Sequence, residues 1–127
     1  MIGPINLATQ TITGAGNTES GTVNTLNGPV DTYGLGEMNF MLAESAQGAG
    51  STLTVSIVTS DDGTNWAVAG TFAALSSAGT VRLGWSDVKY SVGRYVGVSW
   101  TLTGGTVTST FVVTMSARSV GGGGHAE

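Results

Sequence analysis

The chain has no cysteine, one histidine, two prolines and a single lysine, Lys89. Charge is scarce too: 8 acidic and 4 basic residues in 127 leave a net charge of -4. Each shortage excludes something. Without cysteine there is no disulfide framework and no thiolate metal site. Phosphate-backbone affinity comes mainly from Lys and Arg, so nucleic acid is not an expected partner. No apolar run approaches the ~20 residues of a membrane-crossing helix, so no membrane partner is expected either. The opening MIGPINLATQ has neither a positive n-region nor a continuous apolar stretch, and does not read as a secretory signal.

What the chain has instead is Gly (21), Thr (19), Ser (13) and Val (14). Gly, Ser and Thr alone would suit disorder. A 40% hydrophobic content rich in β-branched residues does not. Thr and Val favour a pleated, half-buried surface, and the length suits one all-β domain.

The strands declare themselves by period two. In STLTVSIVTS (51–60), Leu53, Val55 and Ile57 alternate with Thr52, Thr54 and Ser56. Asp61, Asp62 and Gly63 follow as a hairpin turn, because Gly supplies positive φ without a steric penalty. Trp66, Val68, Gly70 and Phe72 then resume the alternation. A second unit runs from Arg94, with Val96, Val98, Trp100 and Leu102 on one face. A Gly104-Gly105 turn sends it back as a hairpin through Phe111, Val113 and Met115.

Shorter strands are expected over 80–85 (Val81, Leu83, Trp85), 35–43 (Met38, Phe40, Leu42), 22–26 and 5–13. One helical turn could form over 72–77. The core candidates are Val55, Ile57, Trp66, Trp85, Val98, Trp100, Phe111 and Val113. The expected fold is all-β: an antiparallel two-sheet β-sandwich, jelly-roll-like, of about seven to eight strands. An extended N-terminal arm (1–16) and a Gly-rich C-terminal tail (119–127) would flank a sandwich over 17–118. An up-and-down barrel is the alternative arrangement of the same hairpins.

The sequence offers little chemistry. His125, the one histidine, sits beside four tail glycines, a poor scaffold for a catalytic triad. Asp61, Asp62, Asp87, Glu37 and Glu44 show no spacing that would pair two of them for acid/base work. Asp61, Asp62 and Asn65 lack the further ligands of a calcium loop. The tetraglycine at 121–124 follows no buried strand and opens no helix, so it is not a phosphate cradle. No catalytic residue, metal or cofactor is expected, and the chain does not read as an enzyme. Thr59, Asp61, Gly63 and Trp66 stand at the spacing of the Asp box of sialidase-type propellers. In that family the box is a structural hairpin turn. A carbohydrate-binding module is an alternative, resting on Tyr90, Tyr95 or an exposed Trp.

The surfaces are more informative. Strand faces carry Thr and Ser where a free monomer would carry Lys and Glu. Long Thr-rich strands such as 106–116 would leave edges open to pairing. The apolar residues near the ends, Ile2, Pro4, Ile5, Leu7 and Val120, together with His125, are the candidates for contact with a partner.

Three stretches carry a resemblance: DTYGLGEMNF (31–40), STLTVSIVTSDDGTNW (51–66) and GRYVGVSWTLTGGTVTSTFVVTMSA (93–117). Their order resembles that of the small capsid cement (decoration) proteins of tailed bacteriophages, over about residues 31–120. Similar hairpins occur in phage tail and fibre domains. The resemblance implies a structural virion protein on the outer surface of an icosahedral head. Such a protein would bridge subunits of the major capsid protein and associate with itself as a dimer or trimer. A small tail or baseplate component is the other virion reading.

Overall fold

The computed structural model describes residues 2–13, 18–22, 30–32, 35–88, 91–104 and 108–119. Nine strands and one short helix follow in order: β1 (Ile2–Thr13), β2 (Thr18–Thr22), β3 (Val30–Asp31), β4 (Leu35–Gln47), β5 (Thr52–Ser60), β6 (Ala67–Thr71), β7 (Gly79–Leu83), α1 (Trp85–Val88), β8 (Tyr95–Thr103) and β9 (Thr108–Ser119).

They form two antiparallel sheets packed face to face. One has the order β1-β9-β4-β7. The other has the order β2-β8-β5-β6, with β3 pairing β8 beside it. β1 and β2, β4 and β5, β6 and β7, and β8 and β9 each split between the two sheets. Leaving β3 aside, this is the wrapped, eight-stranded order of a jelly roll. The expected β-sandwich is therefore the observed fold.

The period-two pattern explains the core. Met38, Phe40 and Leu42 from β4 point inward, as do Phe111, Val113, Met115 and Ala117 from β9. Opposite them lie Leu53, Val55 and Ile57 from β5, and Val96, Val98, Trp100 and Leu102 from β8. Complete burial of a Leu, Ile, Val or Phe side chain contributes about 1.5–3 kcal/mol.

Several expectations are corrected. The β5–β6 hairpin forms, but residues 94–117 do not form a second one. β8 pairs with β2, β3 and β5, whereas β9 pairs with β1 and β4. Between β8 and β9 the chain passes from one sheet to the other, and their two apolar faces meet across the core. Strand β9 is consequently central, and the Thr-rich segment expected as an open edge is covered on both sides.

The strand expected over 5–13 forms and is longer, running over Ile2–Thr13 and pairing antiparallel with β9, so the extended arm is part of the sandwich. Its Leu7 is wholly buried in the chain's own core, and Ile5 packs half-buried against that core. Leu7 is thus committed within the chain and is not available to a partner.

Trp66 and Trp85 are half-buried: Trp85 packs against the closed core from its margin, and Trp66 is not part of it. The reason for Trp66 is a bulge. Ile57 faces Gly70 but Val58 faces Val68, so Ala69 is the extra residue and the phase slips. Val68 accordingly points outward, 59% exposed, while Ala69 is buried. Trp85 lies beyond the end of β7 and opens α1. The segment 72–77 holds an isolated bridge, Leu53 to Leu75, in place of the expected helical turn.

Candidate functional site

The turn after β5 is held by one side chain. Asp62 Oδ1 accepts from the backbone N–H groups of Thr64 (2.8 Å) and Asn65 (2.9 Å), and from Ser60 Oγ (2.9 Å). Asp62 Oδ2 accepts from Asn65 Nδ2 at 2.8 Å. The N–H groups of Asp62 and Gly63 donate to Ser60 Oγ. Gly63 has φ 78°, where a side chain would be strained. These donors, the Asn65 N–H foremost, hold the Asp62 carboxyl far below the usual carboxylate range. The carboxylate is occupied in shaping the turn, which leaves it poorly placed as a base or ligand.

Beside the turn is a cavity of about 250 Å³, lined by Thr59, Ser60, Asp61, Asn65, Ala67, Ser91 and Gly93. Thr59 Oγ1 knits its wall, donating to the Tyr95 carbonyl (2.9 Å) and accepting from the Gly93 N–H (2.6 Å). A β-carbon on Gly93 would meet Asp61 Oδ1, the end of an exposed side chain that would have to move aside. Tyr95, a candidate sugar platform, has the Arg94 guanidinium 5.2 Å over its ring, and Arg94 pairs with Asp31 at 3.1 Å. A β-carbon added at Gly63 would come within 3.8 Å of the same ring. Tyr90 lies outside the described residues, as do Val120 and His125.

The carboxylates do not converge. Asp61 and Asp62 are in the β5–β6 turn. Asp87 Oδ2 accepts from the Gly84 N–H at 2.9 Å, at the start of α1. Glu37, in the left-handed region at φ 48°, pairs with Arg118 at 2.9 Å. Glu44 is inside the sandwich, 4% exposed, and accepts from Ser109 Oγ at 2.5 Å. Burial pushes its carboxyl up from the ordinary value, against the opposing effect of the Ser109 hydrogen bond. Its Oε1, and Trp100 Nε1, have no hydrogen-bond partner among the described residues. The position of Glu44 was readable: it continues the inward phase of Met38, Phe40 and Leu42. Among the described residues no three His, Asp or Glu side chains gather to hold a metal ion. No described helix is long and apolar enough to cross a membrane.

The outer face of the β1-β9-β4-β7 sheet is the broadest chemical feature. Strand register lays two rows across it, Thr9-Val112-Ala43-Thr80 and Asn6-Thr114-Met41-Arg82. Arg82 is the one charge in these rows, and the Arg118–Glu37 pair stands at one end of the face. Two shallow depressions of about 210 and 220 Å³ dent the surface, at Met41/Thr114 and Ala43/Val112. The other sheet's outer face carries Thr54, Ser56, Ser99 and Thr101, and Ser56 shares a hydrogen bond with Thr71 at 2.9 Å. These rows were legible only in part. The alternation of LGEMNFMLA set Met41 opposite the core, but which strand lay beside it was not encoded locally.

No family model matches the chain, and no curated protein matches it. Two solved structures are similar. The crystal structure of the PBSX exported protein XepA aligns over 97% of this chain with TM-score 0.56 and 12% identity. The aligned region is 39% of that protein, so this chain spans about two fifths of its length. A weaker match, with TM-score 0.43 and 16% identity, covers 90% of this chain and 29% of the Clostridium thermocellum xylanase Xyn10B CBM22-1–GH10 modules, complexed with xylohexaose. At such identities the likeness to XepA speaks for the sandwich fold alone.

Proposed function

We propose that this chain is a structural, non-enzymatic virion protein. In this reading it binds the outer face of an icosahedral phage head and stabilises it by bridging subunits of the major capsid protein. The observation that carries the proposal is the nearly uncharged outer face built on β1, β9, β4 and β7. Val112, Ala43 and Met41 form its centre, flanked by Thr9, Thr80, Thr114 and Arg82. A flat face of this kind buries well against another protein and desolvates few charges. The acidic balance of the chain favours an outward surface over one facing DNA.

The carbohydrate-binding reading has less to stand on. Trp100 is buried, Trp66 and Trp85 are half-buried, and the Tyr95 ring already has the Arg94 guanidinium over it.

The test is imaging of virions that carry the chain, with Val112→Lys as the comparison. The expected density lies on the head between capsid subunits, and the lysine variant decorates heads at least tenfold more weakly while remaining folded. Density on the tail would favour a tail or baseplate component. Absence from the virion would overturn the proposal. Truncation of residues 1–7 is no substitute test, since it removes the buried Leu7.

A further inference from the structure

Five strands lie at the sheet edges: β1 and β7 in one sheet, and β2, the two-residue β3 and β6 in the other. They are not equally protected. β2, β6 and β7 have five residues each; β2 carries Glu19, β7 carries Arg82, and β6 is bulged. β1 has twelve residues, IGPINLATQTIT, with no charge among them. Its register with β9 shifts between Ile2 and Ile5 and between Asn6 and Ala8, then runs unbroken from Ala8 to Thr13. Among the described residues nothing pairs with its outer side. Those six residues give an edge about 20 Å long at ~3.3 Å per residue. Natural edges are guarded by charge, brevity, proline or bulges. Here Pro4 and both register shifts lie before Ala8.

We infer that the Ala8–Thr13 edge of β1 pairs antiparallel with the same edge of a second copy of this chain, joining two four-stranded sheets into one of eight.

The edge suits its own copy. A two-fold axis normal to the sheet sets each strand against itself, an isologous contact. Across β1 this opposes only Ala, Thr, Gln and Ile. The same operation would set Arg82 near Arg82 on β7, or Glu19 near Glu19 on β2, and like charges across a strand pair are destabilising. The pleat limits the register. Opposed residues must lie on the same face, so the axis passes midway between the two copies of one residue. Within Ala8–Thr13, the most central residues are Gln10 and Thr11. An axis at Thr11 opposes Thr11 to itself and Thr9 to Thr13. An axis at Gln10 opposes Thr9 to Thr11. Thr9 and Thr11 are exposed in the single chain. The Thr9-Val112-Ala43-Thr80 row would then continue from one copy into the other as one wide surface. This inference makes no use of a capsid, so it stands or falls separately from the proposed function.

The chain's lack of cysteine makes the test direct. Directly opposed strand residues have Cα atoms about 4.5–5.5 Å apart, within disulfide range. Thr11→Cys alone reports the Thr11 axis. An equal mixture of Thr9→Cys and Thr11→Cys chains reports the Gln10 axis. Thr80→Cys, on the opposite edge, is the control. Under mild oxidation one of the first two should give a covalent dimer and the control should not. Light scattering should return twice the chain mass for the wild type and the single mass for Thr11→Lys. Should Thr11→Lys fail to fold, the cysteine chains decide alone. A wild-type monomer, a trimer, or a dimer that neither cysteine arrangement traps would overturn the inference. So would an edge that pairs with a different protein's strand while the chain itself stays monomeric.

Discussion

Trp100 and Phe111 meet edge to face across the sandwich, with ring centroids 6.1 Å apart and planes at 73°. They stand on consecutive strands in different sheets, and their contact ties β8 to β9 through side chains. Such a pair contributes about 0.5–1.5 kcal/mol beyond the area it buries. Phe111→Ala should cost about 3–5 kcal/mol, as for other buried aromatics. A double-mutant cycle with Phe111→Leu and Trp100→Leu, followed by urea unfolding, should return a coupling in the aromatic-pair range. The outward pair Thr101 and Val112 should return none.

That contact also marks where the sequence stops speaking. The alternation in residues 94–117 says which side chains face a core. It is identical whether two strands lie side by side or face each other across the sandwich. Period two therefore revealed the sandwich, the β5–β6 hairpin and the inward faces of β4, β5, β8 and β9, but not the crossing at Gly104. Ala69 shows a second limit. A single bulged residue reversed the phase on which the placement of Trp66 and Val68 rested, and no residue type announces a bulge. The β1 strand shows a third. Leu7 is buried by its partners on distant strands, so Gly3, Pro4 and Asn6 around it made the segment look like a free arm. The outer face of β1-β9-β4-β7 depends on the pairing order, which no local pattern contains.

Glu44 should make the fold more stable in mild acid than at neutral pH. Its folded carboxyl is held above the ordinary value by burial. Stability from the neutral form is therefore fully present below the unfolded value, and is lost as pH rises through the raised folded value. Glu44→Gln keeps the shape and an acceptor for Ser109 Oγ but cannot ionise. The variant should exceed the wild type in urea midpoint at pH 8, and the difference should close by about pH 4. A difference independent of pH would mean that the Glu44 carboxyl titrates alike in the folded and unfolded chain, and would remove the burial effect.

Asp62 should act with the opposite sign. Hydrogen bonds from Asn65, Thr64 and Ser60 lower its carboxyl, so its contribution is present above the ordinary carboxylate value. That contribution declines as the pH falls toward the folded one. Asp62→Ala should lower the melting temperature at pH 7, with the gap narrowing below about pH 4. The side chain is exposed, so the effect should be small. Amide exchange at Thr64 and Asn65 should rise in the variant, since both N–H groups lose their acceptor.

Gly70 should be the least replaceable glycine of the β5–β6 hairpin, for a reason of space and not of backbone conformation. A β-carbon there would come within 2.8 Å of Val88 Cγ1 and 2.9 Å of Leu83 Cδ2. Both side chains are buried, so neither can swing into solvent. Gly70 is the point where α1 and the end of β7 close down on β6. Overpacking of this kind costs about 1–3 kcal/mol. Gly70→Ala should lose that much in urea unfolding, and a companion Val88→Ala, which removes one of the two clashing groups, should cost less in the Gly70→Ala background than alone. Gly79→Ala is the control. Its nearest neighbours would lie 3.9 Å away, ordinary contact, and its stability should stay within about 0.5 kcal/mol of the wild type. Equal losses at both glycines would refer the cost to the backbone and remove the packing explanation.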